Sequence, residues 1–408
     1  MKVDFPYTQE LLILNEIFNT NNEDNLRIVG GAVRNYLANK KINDFDLSTK
    51  LTPEESIELL KKNGIKFATV GINFGTIIAI INGKGFEITT TRKDIKTDGR
   101  HAIVEFTRDF KIDAKRRDFT FNALYLDFNG NVYDYFDGIS DLRKGIVRFI
   151  GNASERIKED YLRILRFFRF YCYYGIVLDN KGLKYTIEYR ENLKNLSGER
   201  IKSEMFKILV ADYPIKTLSI MEQHNILQII TELDNFDFSK LEILFSLKNF
   251  INYKISAELV LSLLLKNINE LDILNKKWRL SKKENSEIFK IVENQSNTIY
   301  TEQDITKFLF LGYKKNTIAN FIIANTVINR DIAKTKLIDI INSSLEYLEQ
   351  KETPIFPITG LDLEKAEFTL KNQFGKLLNE GKRIFIESNY SLSKEKIIEH
   401  LKSFATNE

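Results

Sequence analysis

Hydrophobic and polar residues over the first 135 positions follow both strand and helix periods. Apolar runs at 26–29 and 76–81 indicate strands, and the Asn82-Gly83 pair after the second run is typical of a tight hairpin. A threonine, a proline and two glutamates open an amphipathic stretch, so we predict a helix over 53–62. This mixture predicts a small unit that contains both strands and helices.

The pattern changes after Gly151. Glycine and proline become sparse, and apolar residues recur three and four positions apart, which is the period of helices with one buried face. The segment 334–351 is predicted to be one long helix. The predicted fold class is therefore a small α/β head, with a mixed sheet and helices, followed by an all-α remainder.

Composition narrows the class of protein. The 408 residues have a mass of 47.6 kDa, which suits two or three domains, and 43% of them are hydrophobic. No apolar run reaches the ~18 residues of a membrane span, and the first residues lack a secretory pattern. The single cysteine, Cys172, excludes an internal disulfide. His101, His224 and His400 lie far apart in the sequence, so we expect no metal site built from histidines. We expect a cytoplasmic protein with no membrane contact and no disulfide partner.

The net charge of +4 says little, but the charges are distributed unevenly. The segment 100–202 contains 20 Lys and Arg residues against 15 Asp and Glu residues, so the remainder is slightly acidic. A basic middle segment suits a polyanion such as nucleic acid. Ordinary solvated helix faces explain such an excess equally well, so charge alone does not decide the partner.

Two short patterns carry chemistry. Gly30-Gly31 follows a predicted strand and precedes a helical stretch, an arrangement that lets backbone N–H groups approach a phosphate. Asp44 and Asp46 are two residues apart, so in a strand their side chains leave the same face with backbones ~6.6 Å apart. Such carboxylates suit Mg²⁺, which also takes oxygens from a nucleotide triphosphate. Taken alone, each pattern also fits an ordinary turn or a chance acidic pair.

An ordered set of motifs makes the sequence recognisable. Gly-Gly-x-Val-Arg at 30–34, followed by Asp-x-Asp-Leu-x-Thr at 44–49, resembles the active-site motif of the class II tRNA nucleotidyltransferase and bacterial poly(A) polymerase family. The resemblance is tight over about residues 26–205 and looser at 359–363 and 391–393. Further motifs of the family are matched, in the same order, at 86–102, 116–124, 137–142, 156–170 and 197–201.

The resemblance implies a domain order and an activity. It implies an α/β nucleotidyltransferase head over 1–140, then an all-α neck over 141–205 that selects the nucleotide, a body over 206–300 and a tRNA-binding tail over 301–408. The implied enzyme adds C, C and A to the tRNA 3′ end from CTP and ATP without a template, uses Mg²⁺ and releases pyrophosphate. It would hold tRNA at the 3′ end and the elbow through backbone contacts and shape.

For the head, the resemblance implies a two-metal site and a nucleotide pocket. Asp44 and Asp46 would hold the Mg²⁺ ions. Glu87, on an adjacent strand, is a third candidate catalytic carboxylate, with an exposed strand residue as the alternative. The motif at Asp98, Gly99 and Arg100 would form a flexible loop. The head residues expected to bind the nucleotide are Gly30, Gly31, Arg34, Arg116, Arg117, Asp118 and Asn122.

Several of these residues have expected partners. Guanidinium groups match phosphate oxygens, so Arg116 and Arg117 are expected at phosphate or ribose. Asp118 would orient one of these arginines or a sugar hydroxyl. Asn122 would bind the sugar, with a structural hydrogen bond as the alternative. Asn35 stands where the family usually has aspartate, so an ion pair there becomes a neutral hydrogen bond, and we assign Asn35 no catalytic role.

For the neck, the pattern predicts one helix that starts near residue 154 and makes Asp160 and Arg163 neighbours on one face. The resemblance implies that this pair reads the base. Cytosine and adenine each present an amino group beside an unprotonated ring nitrogen, whereas guanine and uracil would leave both protein groups mispaired. Arg166 and Arg169 continue the helix and are expected to bind the nucleotide.

Structural alternatives remain for the neck, and functional alternatives remain for the enzyme. An ion pair between Glu159 and Arg163 on a plain helix would explain the same spacing. Arg200 either helps to close the pocket or pairs near the start of its own helix. The motifs are shared with poly(A) polymerases and with enzymes that add only part of CCA, so these two activities stay open.

Overall fold

The computed structural model describes residues 1–20, 23–98, 101–296, 298–329, 332–368 and 371–406. Two compact units are defined by their internal contacts. The first unit contains Met1–Asn235 and Ile273–Arg279, and the second contains Phe236–Asp272 and Leu280–Glu408. These units are coarser than the four domains expected from the sequence, whose boundaries remain a prediction.

All the strands belong, within the described residues, to the first unit. They are β1 (Leu26–Val29), β2 (Asp46–Thr49), β3 (Lys66–Gly71), β4 (Thr76–Ile81), β5 (Lys84–Thr90), β6 (Arg92–Asp98), β7 (His101–Phe106), β8 (Leu124–Leu126) and β9 (Val132–Asp134). The helices up to residue 231 are α1 (Gln9–Phe18), α2 (Gly31–Leu37), α3 (Pro53–Lys62), α4 (Phe110–Lys115), α5 (Gly138–Lys144), α6 (Ala153–Glu159), α7 (Leu162–Tyr174), α8 (Asn180–Glu188), α9 (Gly198–Leu209), α10 (Pro214–Gln223) and α11 (Ile226–Thr231).

The chain beyond residue 231 is helical wherever it has regular structure among the described residues. Its longer helices are α12 (Ser239–Leu247), α13 (Ala257–Leu264), α14 (Ile268–Trp278), α15 (Lys282–Glu293), α16 (Glu302–Phe310), α17 (Lys315–Ile328), α18 (Lys334–Gln350), α19 (Gly360–Lys365), α20 (Phe374–Glu387) and α21 (Lys394–Thr406). The predicted class, a mixed α/β head followed by an all-α remainder, is confirmed. None of the helices in the described part of the chain combines the length and the apolar character that crossing a membrane requires.

The main sheet is mixed. Among the described residues it has the strand order β3-β4-β5-β2-β1-β8-β9, and β6 and β7 pair separately. Strands β2 and β5 run parallel, with Asp46 opposite Glu87, while the other neighbours are antiparallel. Residues opposite each other on adjacent strands project from the same face. The sheet therefore brings the Asp-Phe-Asp strand next to the strand that carries Glu87.

Several predicted elements are confirmed at residue level. Helix α3 spans Pro53–Lys62, and the Thr52 side chain accepts from the Glu55 N–H in a reciprocal capping box. At the β4–β5 turn, Asn82 and Gly83 both have positive φ, 51° and 75°, as a two-residue hairpin of this kind requires.

The expected flexible loop at Asp98, Gly99 and Arg100 lies between two paired strands. Strand β6 reaches Asp98 and β7 starts at His101, so regular strands flank this position. Alternating polar and apolar residues, as in Asp94-Ile95-Lys96, favour a two-stranded ribbon over an irregular loop. Gly99 and Arg100 lie outside the described residues.

The helix predicted to run through the neck is broken. Helix α6 ends at Glu159, Asp160 is extended with φ −158° and ψ 106°, and α7 begins at Leu162. The Asp160 side chain accepts from the Leu162 N–H (3.1 Å), a local turn contact made just before α7 begins. The prediction of Asp160 and Arg163 on one continuous helix is therefore wrong, because local side-chain hydrogen bonding competes with helix continuation here.

Buried aromatic rings fix α7 against the segments that carry Phe119 and Phe149. Phe119 contacts Phe149 and Phe170 at centroid distances of 4.7 and 5.3 Å, and Phe149 stacks on Phe167 at 5.7 Å. Aromatic pairs of this geometry add to the stabilisation from burial. Arg163, Arg166 and Arg169 recur at every third position of this helix and line one cavity.

The second unit has apolar clusters of its own. One includes Ile305 and Ile318 with Phe308 and Tyr313 packed on it, and another includes Leu377 and Phe385 with Phe310 and Tyr390 packed on it. Aromatic side chains of the tail therefore form part of the core.

Candidate active site

An open cavity of about 840 Å³ lies in the first unit. Every residue that the sequence predicts to bind the nucleotide lines it, and so do both carboxylates of the Asp-Phe-Asp pattern. Arginines outnumber carboxylates among these described lining residues, so the cavity suits a polyanionic ligand. The lining residues are Gly30, Gly31, Arg34, Asn35, Asn43, Asp44, Asp46, Arg116, Arg117, Asp118, Asn122, Asp160, Leu162, Arg163, Arg166, Arg169, Phe170, Arg200 and Lys207.

The glycine pair forms the turn from β1 into α2. Gly30 has φ +68° and ψ −116°, a conformation that other L-residues rarely adopt. Its N–H donates to the Leu124 carbonyl (3.1 Å), and its carbonyl accepts from the Arg34 N–H (3.0 Å). The turn therefore aims the first turn of α2, with Arg34 on it, at the cavity.

The two aspartates border the cavity where β2 begins. Asp46 is the first residue of β2, and Asp44 lies two residues earlier in the irregular segment. Exclusion of water raises the pKa of Asp46, Arg117 and Arg34 lower it, and the like charge of Asp44 raises it further. A divalent cation between these carboxylates would relieve their repulsion, so the pair fits a metal that completes its shell with phosphate or water oxygens.

Glu87 occupies a neighbouring position. It lies opposite Asp46 in the parallel register and lines a second cavity of about 540 Å³ that also touches Asp44 and Asp46. It does not line the larger cavity. No group of three or more His, Cys, Asp and Glu side chains placed to hold a metal is found in the described ranges. The structure thus places Glu87 beside the aspartate pair without forming a three-ligand cluster.

Arg116 and Arg117 share one buried carboxylate. Arg116 Nε donates to Asp113 Oδ1 (2.8 Å), Arg117 Nη2 donates to Asp113 Oδ2 (3.1 Å), and the Tyr125 hydroxyl also donates to Oδ2. The Asp113 side chain is fully buried. Burial alone would raise the pKa of Asp113, but Arg117 and Arg116 hold it at about 2. Two arginines of the cavity are therefore fixed by a residue that does not line it.

Asp118 has other partners than the sequence suggested. Arg166 Nε donates to Asp118 Oδ2 (2.7 Å), while the Asn122 amide (2.9 Å) and the Phe119 N–H (2.8 Å) donate to Oδ1. Burial would raise the pKa of Asp118, yet Arg166 and the hydrogen bond from Asn122 lower it to about 2. Asp118 thus orients Arg166, and not Arg116 or Arg117, because Asp113 already pairs with both. Asn122 shows the structural hydrogen bond considered as its alternative.

The two residues expected to read the base both line the cavity and are paired with protein groups. Arg200 Nη2 donates to Asp160 Oδ2 (2.7 Å). Arg163 Nη1 donates to the Glu159 carboxylate and to the Arg156 carbonyl (2.8 Å). The ion pair considered as the alternative for Glu159 and Arg163 is therefore present, whereas Arg200 pairs with Asp160 and not within its own helix.

Helix α9 contributes a polar face to the cavity. Arg200 and Lys207 line it, and Glu204, between them on the same face, is buried against Arg169 (Nε to Oε2, 3.0 Å). Burial lowers the pKa of Arg169, and Glu204 opposes this effect. Lys207 Nζ lies 3.7 Å from Glu204 Oε1. Helix α9 therefore supplies two cations to the cavity and one carboxylate that holds a third.

Comparisons with known proteins place the chain in a family. Residues 26–148 match the model of the "Poly A polymerase head domain", and residues 178–236 match the model described as "Probable RNA and SrmB- binding site of polymerase A". CCA tRNA nucleotidyltransferase 1, mitochondrial, of Homo sapiens is 33% identical over 97% of this chain and 90% of its own length. The chain belongs to the CCA tRNA nucleotidyltransferase family.

A second family member is similar to the chain in sequence, and a solved structure shares its fold. The CCA-adding enzyme of Streptococcus sanguinis is 35% identical over 68% of this chain and 69% of its own length. The crystal structure of the Bacillus stearothermophilus CCA-adding enzyme in complex with CTP has a TM-score of 0.77 and 21% identity, and it covers 98% of this chain and 100% of that one. Nucleotidyltransferases of this family are in general metal-dependent, which agrees with the paired carboxylates of the cavity.

Four residues of this nucleotidyltransferase site were not singled out from the sequence. Asp113, Tyr125 and Glu204 act behind the cavity as partners of its arginines, and Lys207 lines it. Asp113 precedes Arg116 and Arg117 by three and four residues, which is a helix-type pairing signal that the sequence contained. Tyr125 and Glu204 meet their partners only through the tertiary fold.

Proposed function

We propose that this family member adds C, C and A to the 3′ end of tRNA from CTP and ATP, without a nucleic-acid template and with release of pyrophosphate. One observation supports the proposal above all. A single cavity is bordered by two aspartates at the start of β2, Asp44 just before the strand and Asp46 on it, and by the pair expected to read the base, Asp160 and Arg163. Transfer chemistry and base choice are thereby brought to one nucleotide.

The aspartate pair is proposed to hold Mg²⁺. When bound, the metal lowers the pKa of the attacking 3′-hydroxyl and neutralises charge on the triphosphate. The chain itself contributes Asp44 and Asp46 as ligands, and Arg34 and Arg117 close enough to affect the charge state of Asp46. Glu87, one strand away, is proposed as a further catalytic carboxylate that supports the pair from the second cavity.

The arginines are proposed to bind the triphosphate and position it for in-line attack. Arg116 and Arg117 lie on the Asp113 carboxylate, and Arg166 lies on Asp118, so their guanidinium groups are oriented before the nucleotide arrives. Preorganised cations stabilise charge that develops during transfer without reorganising. Arg169, backed by Glu204, completes the cationic lining on α7.

Base choice is proposed to rest on exchange of partners. Asp160 would accept from the amino group of cytosine or adenine, and Arg163 would donate to the adjacent ring nitrogen. In this structure Arg200 donates to Asp160 and Glu159 accepts from Arg163, so a base has to replace contacts of the same polarity. GTP and UTP offer a carbonyl and a ring N–H there, which leaves both groups mispaired.

The remaining proposals concern the domain boundaries, the tRNA contacts, the Asp98 motif and the cellular location. The head (1–140), neck (141–205), body (206–300) and tail (301–408) keep their predicted boundaries, with tRNA held at its elbow by the tail and its 3′ end presented at the cavity. The motif around Asp98 is proposed to move between C and A addition. Cytoplasmic location is proposed as well. Because the Homo sapiens relative carries the name mitochondrial, imaging of the tagged full chain against a mitochondrial marker is the appropriate test.

The activity is tested with a tRNA transcript that lacks CCA, Mg²⁺ and labelled nucleotides offered singly and together. Two C residues from CTP alone, and one further A once ATP is present, support the proposal. A long A-tail from ATP alone would support poly(A) polymerase instead. A product that stops after CC in the presence of ATP would support a partial enzyme.

Substitution of the carboxylates tests the metal assignment. Asp44→Ala and Asp46→Ala are expected to lower the rate of C addition by about 10³-fold or more, because the proposed metal loses its ligands, while tRNA binding in a filter assay stays close to that of the unsubstituted protein. Glu54→Ala, on the exposed side of α3, is the matched control. Turnover retained by either aspartate variant would refute the assignment.

A further inference from the structure

Asn35 is the cavity residue at which this chain departs from the usual family motif, and its side chain makes several hydrogen bonds. Arg34 donates to Asn35 Oδ1 through Nε (3.3 Å) and Nη2 (3.1 Å), and the Tyr174 hydroxyl donates to the same oxygen (2.6 Å). At the other end of the amide, Nδ2 donates to the Lys41 carbonyl (3.0 Å). The side chain therefore uses both ends of its amide.

The orientation of this amide follows from its partners. An arginine only donates and a backbone carbonyl only accepts, so the oxygen has to face Arg34 and the nitrogen has to face Lys41. An aspartate would keep the contact with Arg34 but would direct an oxygen at the Lys41 carbonyl. An asparagine therefore fits both partners at once, whereas an aspartate fits only Arg34.

Arg34 is held on all sides. Its guanidinium lies over the rings of Phe170 (5.0 Å) and Tyr174 (4.7 Å), and Nη1 donates to the Asn122 side-chain oxygen. Two of these groups, Phe170 and Tyr174, belong to α7, whereas Asn35 and Arg34 belong to α2. The planar cation is therefore fixed in one direction, towards the cavity it lines.

The Lys41 contact reaches the other half of the site. Residues 40–45 have no regular structure. This segment contains Asp44 and leads directly into β2 at Asp46. Within this segment, the Lys40 N–H donates to the Asn35 carbonyl (2.8 Å) and the Lys41 carbonyl accepts from the Asn35 side chain (3.0 Å). Asn35 thus ties the segment that precedes the catalytic aspartates to the end of α2.

We infer that Asn35 is a positioning residue with two separable effects, one on nucleotide binding through Arg34 and one on turnover through the segment that leads to Asp44. The inference rests on the proposed roles of Arg34 in nucleotide binding and of Asp44 in catalysis. The amide makes both contacts, to Arg34 and to the Lys41 carbonyl, whereas a carboxylate at this position would make only the contact with Arg34.

The variants Asn35→Ala and Asn35→Asp separate the two effects. Loss of an acceptor for a charged donor typically costs tenfold or more, so Asn35→Ala is expected to raise the KM for CTP about tenfold and to lower kcat. Asn35→Asp keeps the acceptor, so the KM for CTP stays within about twofold while kcat falls about tenfold from repulsion at the Lys41 carbonyl. Equal KM values for the two variants would overturn the inference.

A double substitution shows whether Asn35 acts through Arg34. The KM for CTP of Asn35→Ala/Arg34→Ala is expected to equal that of Arg34→Ala alone, because the acceptor has nothing left to hold. A further rise in the double variant would overturn the inference and leave the role of Arg34 intact. If Arg34→Ala leaves KM unchanged, the proposed nucleotide role of Arg34 fails, and the inference fails with it.

Two further variants test the inference even if Asn35→Ala does not fold. Tyr174→Phe removes one hydrogen bond to Asn35 but keeps the ring under Arg34, and it is expected to raise the KM for CTP about threefold. Asn63→Ala removes an asparagine whose Nδ2 donates to the Leu59 carbonyl (2.9 Å) at the end of α3, away from the cavity, and serves as the matched control with unchanged kinetics. A Tyr174→Phe enzyme with unchanged KM would contradict the inference.

Discussion

The two sides of the cavity hold their arginines in different ways. On the side called here the head side, the carboxylates of Asp113 and Asp118 are 0% and 7% exposed. On the neck side, Glu204 is 5% exposed behind Arg169, but the carboxylates of Asp160 and Glu159, which pair with Arg200 and Arg163, are 20% and 25% exposed. Ion pairs removed from water are costly to break, whereas partly exposed pairs exchange partners at little cost.

The difference matches what each side has to do. A triphosphate is the same in every nucleotide, so cations that bind it gain from being fixed in advance. A base differs between nucleotides, so the groups that read it need partners that the correct base can replace and the wrong base cannot. The ion pairs of the head side are therefore fixed, whereas those of the base-reading residues on the neck side can exchange partners. The following experiments test this difference.

Removal of the Asp113 carboxylate has the largest expected effect. Asp113→Ala leaves Arg116 and Arg117, which are 17% and 19% exposed, without their buried carboxylate, and breaking such a pair costs about 3–5 kcal/mol of the free energy of unfolding. Urea unfolding measures the loss directly, and C addition is expected to fall with it because two cations of the cavity lose their orientation.

Asp109 offers a matched control for Asp113, one helical turn earlier. Its exposed side chain accepts from the Lys111 N–H at the start of α4, so Asp109→Ala removes a cap and costs ~0.5–2 kcal/mol. If Asp113→Ala unfolds no more easily than Asp109→Ala, the head side is not the fixed one.

The pH dependence of stability gives the next largest effect. The pKa of Asp118 is about 2 in the folded protein, against about 3.9 in an unfolded chain. A carboxylate with a lowered folded pKa contributes stability above the unfolded value and loses it as the pH falls from about 4 to about 2, and here that contribution is roughly 2 kcal/mol.

Asp118→Asn checks this pH effect. The variant is expected to be less stable than the unsubstituted protein at pH 6, and the gap is expected to narrow as urea unfolding is repeated at pH 4 and pH 3. Asp113, whose pKa is also about 2, stays in both proteins and adds the same slope to each. A gap that is independent of pH would show that the charge of Asp118 is not what stabilises the head side.

Some features of this site could be predicted from the sequence because they are local. The cap of α3, the turn at Gly30 and the Asn82-Gly83 hairpin depend on residues within four positions of one another. The residues expected to bind the nucleotide were found because their motifs resemble a family, and the structure places them on one cavity.

Other features depend on distant residues, and sequence patterns do not reveal them. Arg34 meets Asn122 across 88 positions, Arg166 meets Asp118 across 48, and Arg200 meets Asp160 across 40. The break between α6 and α7 also escaped the periodicity, because the apolar residues keep helical spacing on both sides of Asp160. Partners of buried charges are set by the tertiary fold, and hydrophobic periods carry no information about them.

Substitution of Arg163 tests the exchangeable side. Arg163→Ala removes the donor to the ring nitrogen, so the preference for CTP over UTP is expected to fall about 10- to 100-fold, measured as the ratio of kcat/KM values. Binding of tRNA is expected to change little. An unchanged preference would refute base reading by Arg163, and Lys158→Ala, on the same stretch but outside the cavity lining, is the control.

Arg200 gives the smallest expected effect and the sharpest contrast with Asp113. Its ion pair with Asp160 is partly exposed, so Arg200→Ala is expected to change the free energy of unfolding by no more than ~1 kcal/mol. Because Arg200 competes with the base for Asp160, the KM for CTP is expected to fall, by a few-fold at most. Urea unfolding and steady-state kinetics on one preparation measure both quantities. If Arg200→Ala destabilises the protein as much as Asp113→Ala, the neck side is as fixed as the head side, and base choice cannot depend on exchange of partners.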